Sequence, residues 1–469
     1  MVTAAVLTFL AYMAPLLRTH HYNFGTQNFD IGIFDQATYQ LSQFEHFMTT
    51  RGLNVFGHHL NIGLFLFVPL YWAGLGGVNT LNIAAAISLA VAAFPIYMIG
   101  LKQTKSAAVA AVISVAYLMN FSVSALVNEG FHPEKMAVPA LFFAVYGAQQ
   151  QRWRLYTAAL VYALVWKEDI SLFVMMLGVY VAITQSRKIG LLTSALGAGY
   201  FLLATRVILP SFNDADATFY GSQYGELGNG ATEVAANAFF FKRGEALALL
   251  ERNDAASYFF EIGQPFGMLS YLSPHWLLLS FPHFAVSLLN IHGLAANPLA
   301  HYVAIPVVAS TLAVIATLAR FKMLGLRIAL CGWMLIAGTI SRVGKGDTPV
   351  SDNYESGVWQ LNDNQRSADL RGALAYIPDD AVVMATYDLI PQMSHRREIY
   401  MYPNPYELEY WGIGDPETAD PESIEYIALN RAAISSERPL HLQLTSSESF
   451  ETIYTSGDVI VLKRVAAGI

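Results

Sequence analysis

What most constrains this chain is a series of apolar runs of helix length, separated by short turns that carry basic residues. Residues 79–101, 107–127, 136–148, 155–166, 170–184, 189–209, 299–318 and 325–341 are such runs, and residues 2–17 form another at the start. A bilayer core takes about 20 apolar residues in one helix, and backbone groups there must bond within their own segment. The pattern therefore predicts a polytopic helix bundle. Composition agrees, with 54% hydrophobic and 13% charged residues, against roughly 45–50% and about 25% in soluble proteins. The mean hydropathy is +0.39. Residues 2–17 lack a basic leader and a small-residue cleavage site, so they read as a retained helix. That run is shorter than a full span, which predicts a native start further upstream.

Charge divides the chain in two. Residues 1–341 carry a net of +2 and residues 342–469 a net of −10. The expected organisation is a transmembrane domain over 1–341 and a soluble domain over 342–469. The tail has strand-like stretches at 381–386, 398–402, 424–429, 451–454 and 458–463. With helix candidates near 366–376 and 388–395, these predict a small α/β domain. Its acidity argues against nucleic acid, whose phosphates need clustered Lys and Arg. The lone Cys331 excludes an intramolecular disulfide and a cysteine-rich metal site. Two matched halves, the mark of many transporters, are absent from the sequence.

The basic turns set the orientation. Lys102 and Lys105, Arg152 and Arg154, Arg187 and Lys188, and Arg320, Lys322 and Arg327 fall on one side if residues 60–72, interrupted by Pro69, lie along the surface instead of crossing. The positive-inside rule makes that side the cytoplasm. Reading residues 257–290 as a tight hairpin then gives about eleven spans in a plasma-membrane protein. The first loop (18–78), a long loop (210–256) and the C-terminal domain all face outward, outside the cytoplasm.

On this topology the polar residues gather at the outward ends of the helices: Asp30, Asp35, Arg51, His58, His59, Glu129, His132, Glu134, Lys167, Glu168, Asp169, His301 and Tyr302. Ionisable groups near lipid are costly and tend to mark function. Asp30 suits a general base, and equally an N-cap for the helix starting at Ile31. Asp35 lies roughly 140° further round a regular helix, so the two carboxylates would not share a face. Glu129, His132 and Glu134 sit in NEGFHPEK and could hold a divalent metal. The bland alternative is a polar turn in which Pro133 opens a helix and Glu134 sits at its positive end. Lys167-Glu168-Asp169 separates two apolar runs with almost no loop. It reads as an ion-paired turn or as a cation, Lys167, held ready for a phosphate, and Arg51 could serve likewise. His58, His59 and His301 read first as hydrogen-bonded interfacial histidines.

The motifs NFDIGIFDQ, RGLNVFGHH, GFHPEK, WKED and PQMSHRREIY resemble the pattern of a prokaryotic family of predicted membrane proteins known as domain of unknown function 2079. More distantly, the layout is similar to the GT-C superfamily of membrane glycosyltransferases. That resemblance implies a GT-C-like bundle, a polyprenyl-phosphate-linked sugar donor, and a lipid, protein or glycan acceptor. It implies that Asp30 matches the catalytic acid of the first loop, with Glu129 and His132 where second-loop polar residues lie. Asp35, His58, His59, Glu134, Glu168, Asp169, His301 and Tyr302 would complete substrate binding. The paired-acid metal motif of some superfamily members has no counterpart here, so no cofactor is implied outright and a divalent metal stays an open alternative. The rival expectation is a transporter or lipid-handling protein without covalent chemistry. The membrane lipid is a partner on either reading, and oligomeric state is left open.

Overall fold

The computed structural model describes residues 1–26, 30–212, 223–354, 364–409, 420–435 and 439–465. Helices dominate up to Lys345. The N-terminal helix Val2–Tyr22 is followed by a first loop, and Val78–Thr104 then forms the longest apolar helical stretch, 27 residues. Ala107–Met119 and Phe121–Asn128 meet at a 47° bend, where the Asn120 side chain accepts from the Ser122 amide and so restarts the helix. Ala304–Arg320 runs through the middle of the bundle, buried along nearly its whole length. Ile170–Thr184 and Arg187–Leu203 form a hairpin with backbones in direct contact. A Cβ at Gly190 would lie 2.0 Å from the Ala182 nitrogen, so only glycine permits that approach.

Among the described residues five helices are long and apolar enough to cross a membrane, or six if the bent pair is one span. Several of the eleven expected spans are shorter. Trp153–Leu164 has 12 residues and Ile170–Thr184 has 15. The expected hairpin of spans over 257–290 does not form. Helix Ala255–Gly263 gives way to 3-10 turns at Gln264–Phe266, Leu269–Leu272 and Pro274–Ser280, and then to helix Phe281–Leu288. Pro265, Pro274 and Pro282 each remove an amide donor, and Gly267 and Met268 both turn left-handed, with φ of 59° and 65°. Hydropathy marked the segment as apolar without registering how often its backbone must break.

The basic turns gather at one end of the bundle. Arg327 Nη1 donates to the Thr104 carbonyl at 2.8 Å, and Gln103 Nε2 donates to Gln149 Oε1 at 3.2 Å. The turns after Thr104, after Gln149 and after Arg320 therefore lie together. At the other end lie the first loop and the tail. The first loop contains the helix Asp30–Ser42 and a two-strand ribbon, β1 (Phe47–Met48) and β2 (Leu53–Asn54). The tail is a five-stranded sheet of β3 (Val383–Ala385), β4 (Ile399–Met401), β5 (Tyr426–Asn430), β6 (Phe450–Ser456) and β7 (Val459–Arg464), in the order β4-β3-β5-β7-β6. β3 is parallel to β4 and β5, while β7 runs antiparallel to β5 and β6.

The first-loop helix is clamped between bundle and tail. Thr49 Oγ1 donates to the Ile399 carbonyl (2.8 Å) and accepts from the Ile399 amide (2.9 Å). Gln36 and Gln40 both donate to the Arg397 carbonyl, at 3.1 and 2.8 Å. Phe24 joins the apolar core of the tail with Ile390 and Met393. Gly32 lets the helix lie flat on that core, since a Cβ there would sit 2.7 Å from Ile390 Cγ2. Gly32→Val should therefore lower stability by about 1–3 kcal/mol through overpacking. Ile390→Ala in the same chain should recover part of it, read from thermal unfolding of the purified protein and from protease sensitivity of the tail.

Candidate functional site

Asp30 opens the first-loop helix and is half-buried. Its Oδ2 lies 3.7 Å from His132 Nε2. The helix is regular, so Asp35 leaves on another face, where it accepts from Tyr71 Oη (2.6 Å) and Ser394 Oγ (2.7 Å). The two carboxylates are not a pair.

His132 comes from the loop before helix Pro133–Gln149, which starts at Pro133 with Glu134 in its first turn. The loop turns at Gly130, at φ 87°, and is held by Asn82, whose Oδ1 accepts from the Phe131 amide at 2.8 Å. Beneath it sits Lys135, completely buried. Its ammonium donates to the Gly130 carbonyl (2.7 Å), Glu129 Oε2 (3.2 Å) and His132 Nδ1 (3.2 Å). An ammonium has no acceptor, so Nδ1 must accept, and the proton of the neutral ring lies on Nε2, toward Asp30. Lys135 belongs to the cluster without any sequence pattern that marks it. It lay inside the GFHPEK motif, but nothing in its spacing showed that it would point inward.

His301 comes from the far end of the chain. Its Nδ1 is 2.9 Å from Glu129 Oε1, and its ring stacks on His132 at 4.1 Å and 15°. Tyr302 lies against it, ring centroids 4.1 Å apart. Lys167 faces Glu134 at 3.5 Å and Asp169 at 3.7 Å, while His301 Nε2 is 4.0 Å from Glu134. These groups border a cavity of about 10 Å³ with His283, another residue the sequence did not single out. Such separations exceed hydrogen-bond length, so the charges face one another without closing the space between them. Glu168 turns the other way, accepting from the Leu60 amide (3.0 Å) and pairing with His59 Nδ1 (2.8 Å), and the His58 ring packs against His59 at a 51° tilt. Arg51, in the turn between β1 and β2, is buried near enough to act on the charge of Asp30. Asp30, Arg51, Glu129, His132, Glu134, Lys167, Asp169, His301 and Tyr302 thus share one cluster. His58, His59 and Glu168 border it, and Asp35 stands apart.

Burial pushes the Asp30 carboxyl up, but the nearby His132, with His301 and Arg51, outweighs it and holds Asp30 below the usual carboxylate range. Glu129 is likewise held well below, because His301, Lys135 and His132 outweigh its burial. Burial lowers Arg51 to about 10, against the pull of Asp30, so it stays charged at neutral pH. Asp169 goes the other way: burial pushes it up to about 6, opposed by Lys167. His132 is lowered by burial and by the charges of His301 and Lys135, and His58 is lowered further by burial and its cationic neighbours.

Glu129, His132 and His301 bring three ligand-type atoms within 4.8 Å of one another. Two features argue against an ion bound there. The stacked imidazoles lie in nearly parallel planes, so their in-plane lone pairs do not converge on one point at the ~2.0–2.1 Å of a metal–nitrogen bond. The Lys135 ammonium also already occupies the space beside Glu129 Oε2 and His132 Nδ1. As arranged, these residues do not fit a divalent ion.

The chain belongs to the family described as Predicted membrane protein (DUF2079), whose model matches residues 20–461. Among solved structures, ArnT from Cupriavidus metallidurans in the apo state is similar over 99% of this chain and 98% of that chain, with 13% identity and a TM-score of 0.44. No curated protein matches the sequence.

Lys135→Met leaves Glu129 and His132 without their buried cation. It should cost about 3–5 kcal/mol, and adding Glu129→Gln should restore part of that, measured by thermal unfolding. The histidines set a second expectation. A histidine whose folded pKa lies below its unfolded value takes up protons more readily when unfolded. Stability therefore falls as pH drops through about 6.5. His58 and His132 both act in this sense, and Asp169, raised to about 6, opposes them with one proton. The unfolding midpoint should decrease between pH 7 and pH 5, and the decrease should shrink in His58→Gln.

Proposed function

We propose that this protein is a membrane glycosyltransferase of GT-C type. It would move a sugar from a polyprenyl-phosphate-type lipid donor to a lipid, protein or glycan acceptor at the outer face of the plasma membrane. The observation that carries this reading is the cluster that gathers Asp30 and Arg51 of the first loop with His132, Lys167 and His301 from three other segments, opposite the end where the basic turns gather. The positive-inside rule makes the basic end cytoplasmic. The polar cluster and the tail are then outside, within reach of a donor in the outer leaflet.

In the proposed step the acceptor hydroxyl gives its proton to Asp30 as its oxygen bonds to the anomeric carbon. The bond from that carbon to the phosphate oxygen breaks, and the phosphate leaves with the electron pair. Asp30 is held ionised, which makes it a weak base. It suits a step in which the acceptor oxygen has already become acidic by bonding to carbon when the proton moves. His132, with Nε2–H toward Asp30, orients the carboxylate. Lys167 and Arg51 face the charge that develops on the phosphate, and fixed cations of this kind lower the barrier where charge appears. Glu134 and Asp169 hold Lys167, and His301 and Tyr302 lie beside it. The cations come from the chain, so the step uses no divalent ion.

The test is to incubate the purified protein with polyprenyl-phosphate-linked sugars and follow loss of donor. Asp30→Asn should slow turnover by at least about 10²-fold, Lys167→Gln should raise the donor KM, and EDTA should leave the rate unchanged. Equal rates for wild type and Asp30→Asn remove Asp30 from the chemistry. No turnover with any donor favours transport or lipid handling.

A further inference from the structure

A second and larger cavity, about 290 Å³, lies at the seam between the first loop and the tail. It borders Asp35, not Asp30, and is lined by His21, Asn79, Gln392, His395 and the Gly76-Gly77 turn. Asn79 is exposed, so the cavity reaches the surface. At its back is a carboxylate whose charge is incompletely met. Asp35 is 1% exposed. Tyr71 Oη donates to one oxygen and Ser394 Oγ to the other. An ionised carboxyl offers about four acceptor positions, and these two neutral donors fill half of them. Among the described residues Asp35 forms no ion pair with Lys or Arg, and His395 Nδ1 stands 3.9 Å away, beyond hydrogen-bond length. Two hydroxyl donors with His395 and His21 at a distance leave a buried carboxylate short of hydrogen bonds, and a cation in direct contact lowers that cost.

The cavity wall favours a particular cation. His395, which lines the cavity, is held there by stacking on Tyr71 at 5.2 Å and 6° and by packing against Tyr39 at 4.5 Å, so its ring is fixed beside the carboxylate. A single carboxylate is too few ligands for a divalent metal. The volume equals roughly ten water molecules, enough for a small head group and too little for a glycan chain. We propose that this cavity binds the primary ammonium of a small amine head group, its N–H donors filling the free positions on Asp35 and its charge lying beside the His395 ring. The site joins both sides of the seam, since Asp35 belongs to the first loop and Gln392 and His395 to the tail. It is independent of the glycosyltransferase reading.

The test uses the full chain in phosphatidylglycerol nanodiscs. Phosphatidylethanolamine is titrated in one arm and free ethanolamine in another, with phosphatidylcholine and choline as matched controls that lack N–H donors, and bound amine is read by native mass spectrometry. The ethanolamine forms should bind about tenfold more tightly than the choline forms. Asp35→Asn should lose about tenfold. Because Asp35 also anchors the tail, Asn79→Trp provides a variant that fills the cavity while leaving the Tyr71 and Ser394 bonds in place, and it too should abolish binding. Binding by the lipid alone identifies a membrane head group, and binding by free ethanolamine identifies a soluble amine. Equal binding of ethanolamine and choline forms, undiminished binding in Asn79→Trp, or no binding of either amine overturns the proposal.

Discussion

The structure depends on the way the helix Asp30–Ser42 is gripped from two sides. Apolar residues of this helix, Ile33, Phe34 and Leu41, belong to the core of the bundle. Its polar face is bonded to the tail through Gln36, Gln40 and Asp35. A short helix in a loop would not hold a carboxylate in place by its own stability, because isolated helices of this length are marginal. Packing on one side and hydrogen bonds to the fixed carbonyl of Arg397 on the other supply what the helix lacks. The orientation of Asp30 toward His132 is thus a property of the whole assembly.

The same logic governs the charged cluster. Glu129, Glu134, Lys135 and Lys167 are largely buried, and charges are buried at tolerable cost only when they are paired. Lys135 closes the Glu129 side with short bonds, whereas Lys167, Glu134 and Asp169 face one another at 3.5 Å or more. One half of the cluster is a finished ion-pair network that fixes the second loop. The other half leaves its charges 3.5 Å or more apart around a small cavity.

The features legible in the sequence are those set by local rules. Pro133 opens its helix with Glu134 in the first turn. The five strands of the tail fall within a few residues of the alternating stretches that predicted them. Asp30 and Asp35 diverge as a regular helix requires. Features that depend on partners distant in sequence are less legible. Glu168 and Asp169 are adjacent and chemically alike, yet one binds His59 and the other faces Lys167. Ser394 and Tyr71 had no visible reason to meet on Asp35. Over 257–290 hydropathy averaged out the prolines and left-handed residues that break the backbone into short turns.

The sequence by itself determined that this is a membrane-type helical chain with an acidic α/β tail, because apolar run length and charge are counted residue by residue. It also determined that polar chemistry is confined to a few turns, because charge is too costly elsewhere in such a chain. Only the tertiary structure decided which of those polar residues meet in one cluster. Asp30, His132, Lys167 and His301 come from four separate segments, and their meeting depends on helix packing angles and on the tail closing over the first loop. Those are set by contacts between surfaces, which no local pattern records.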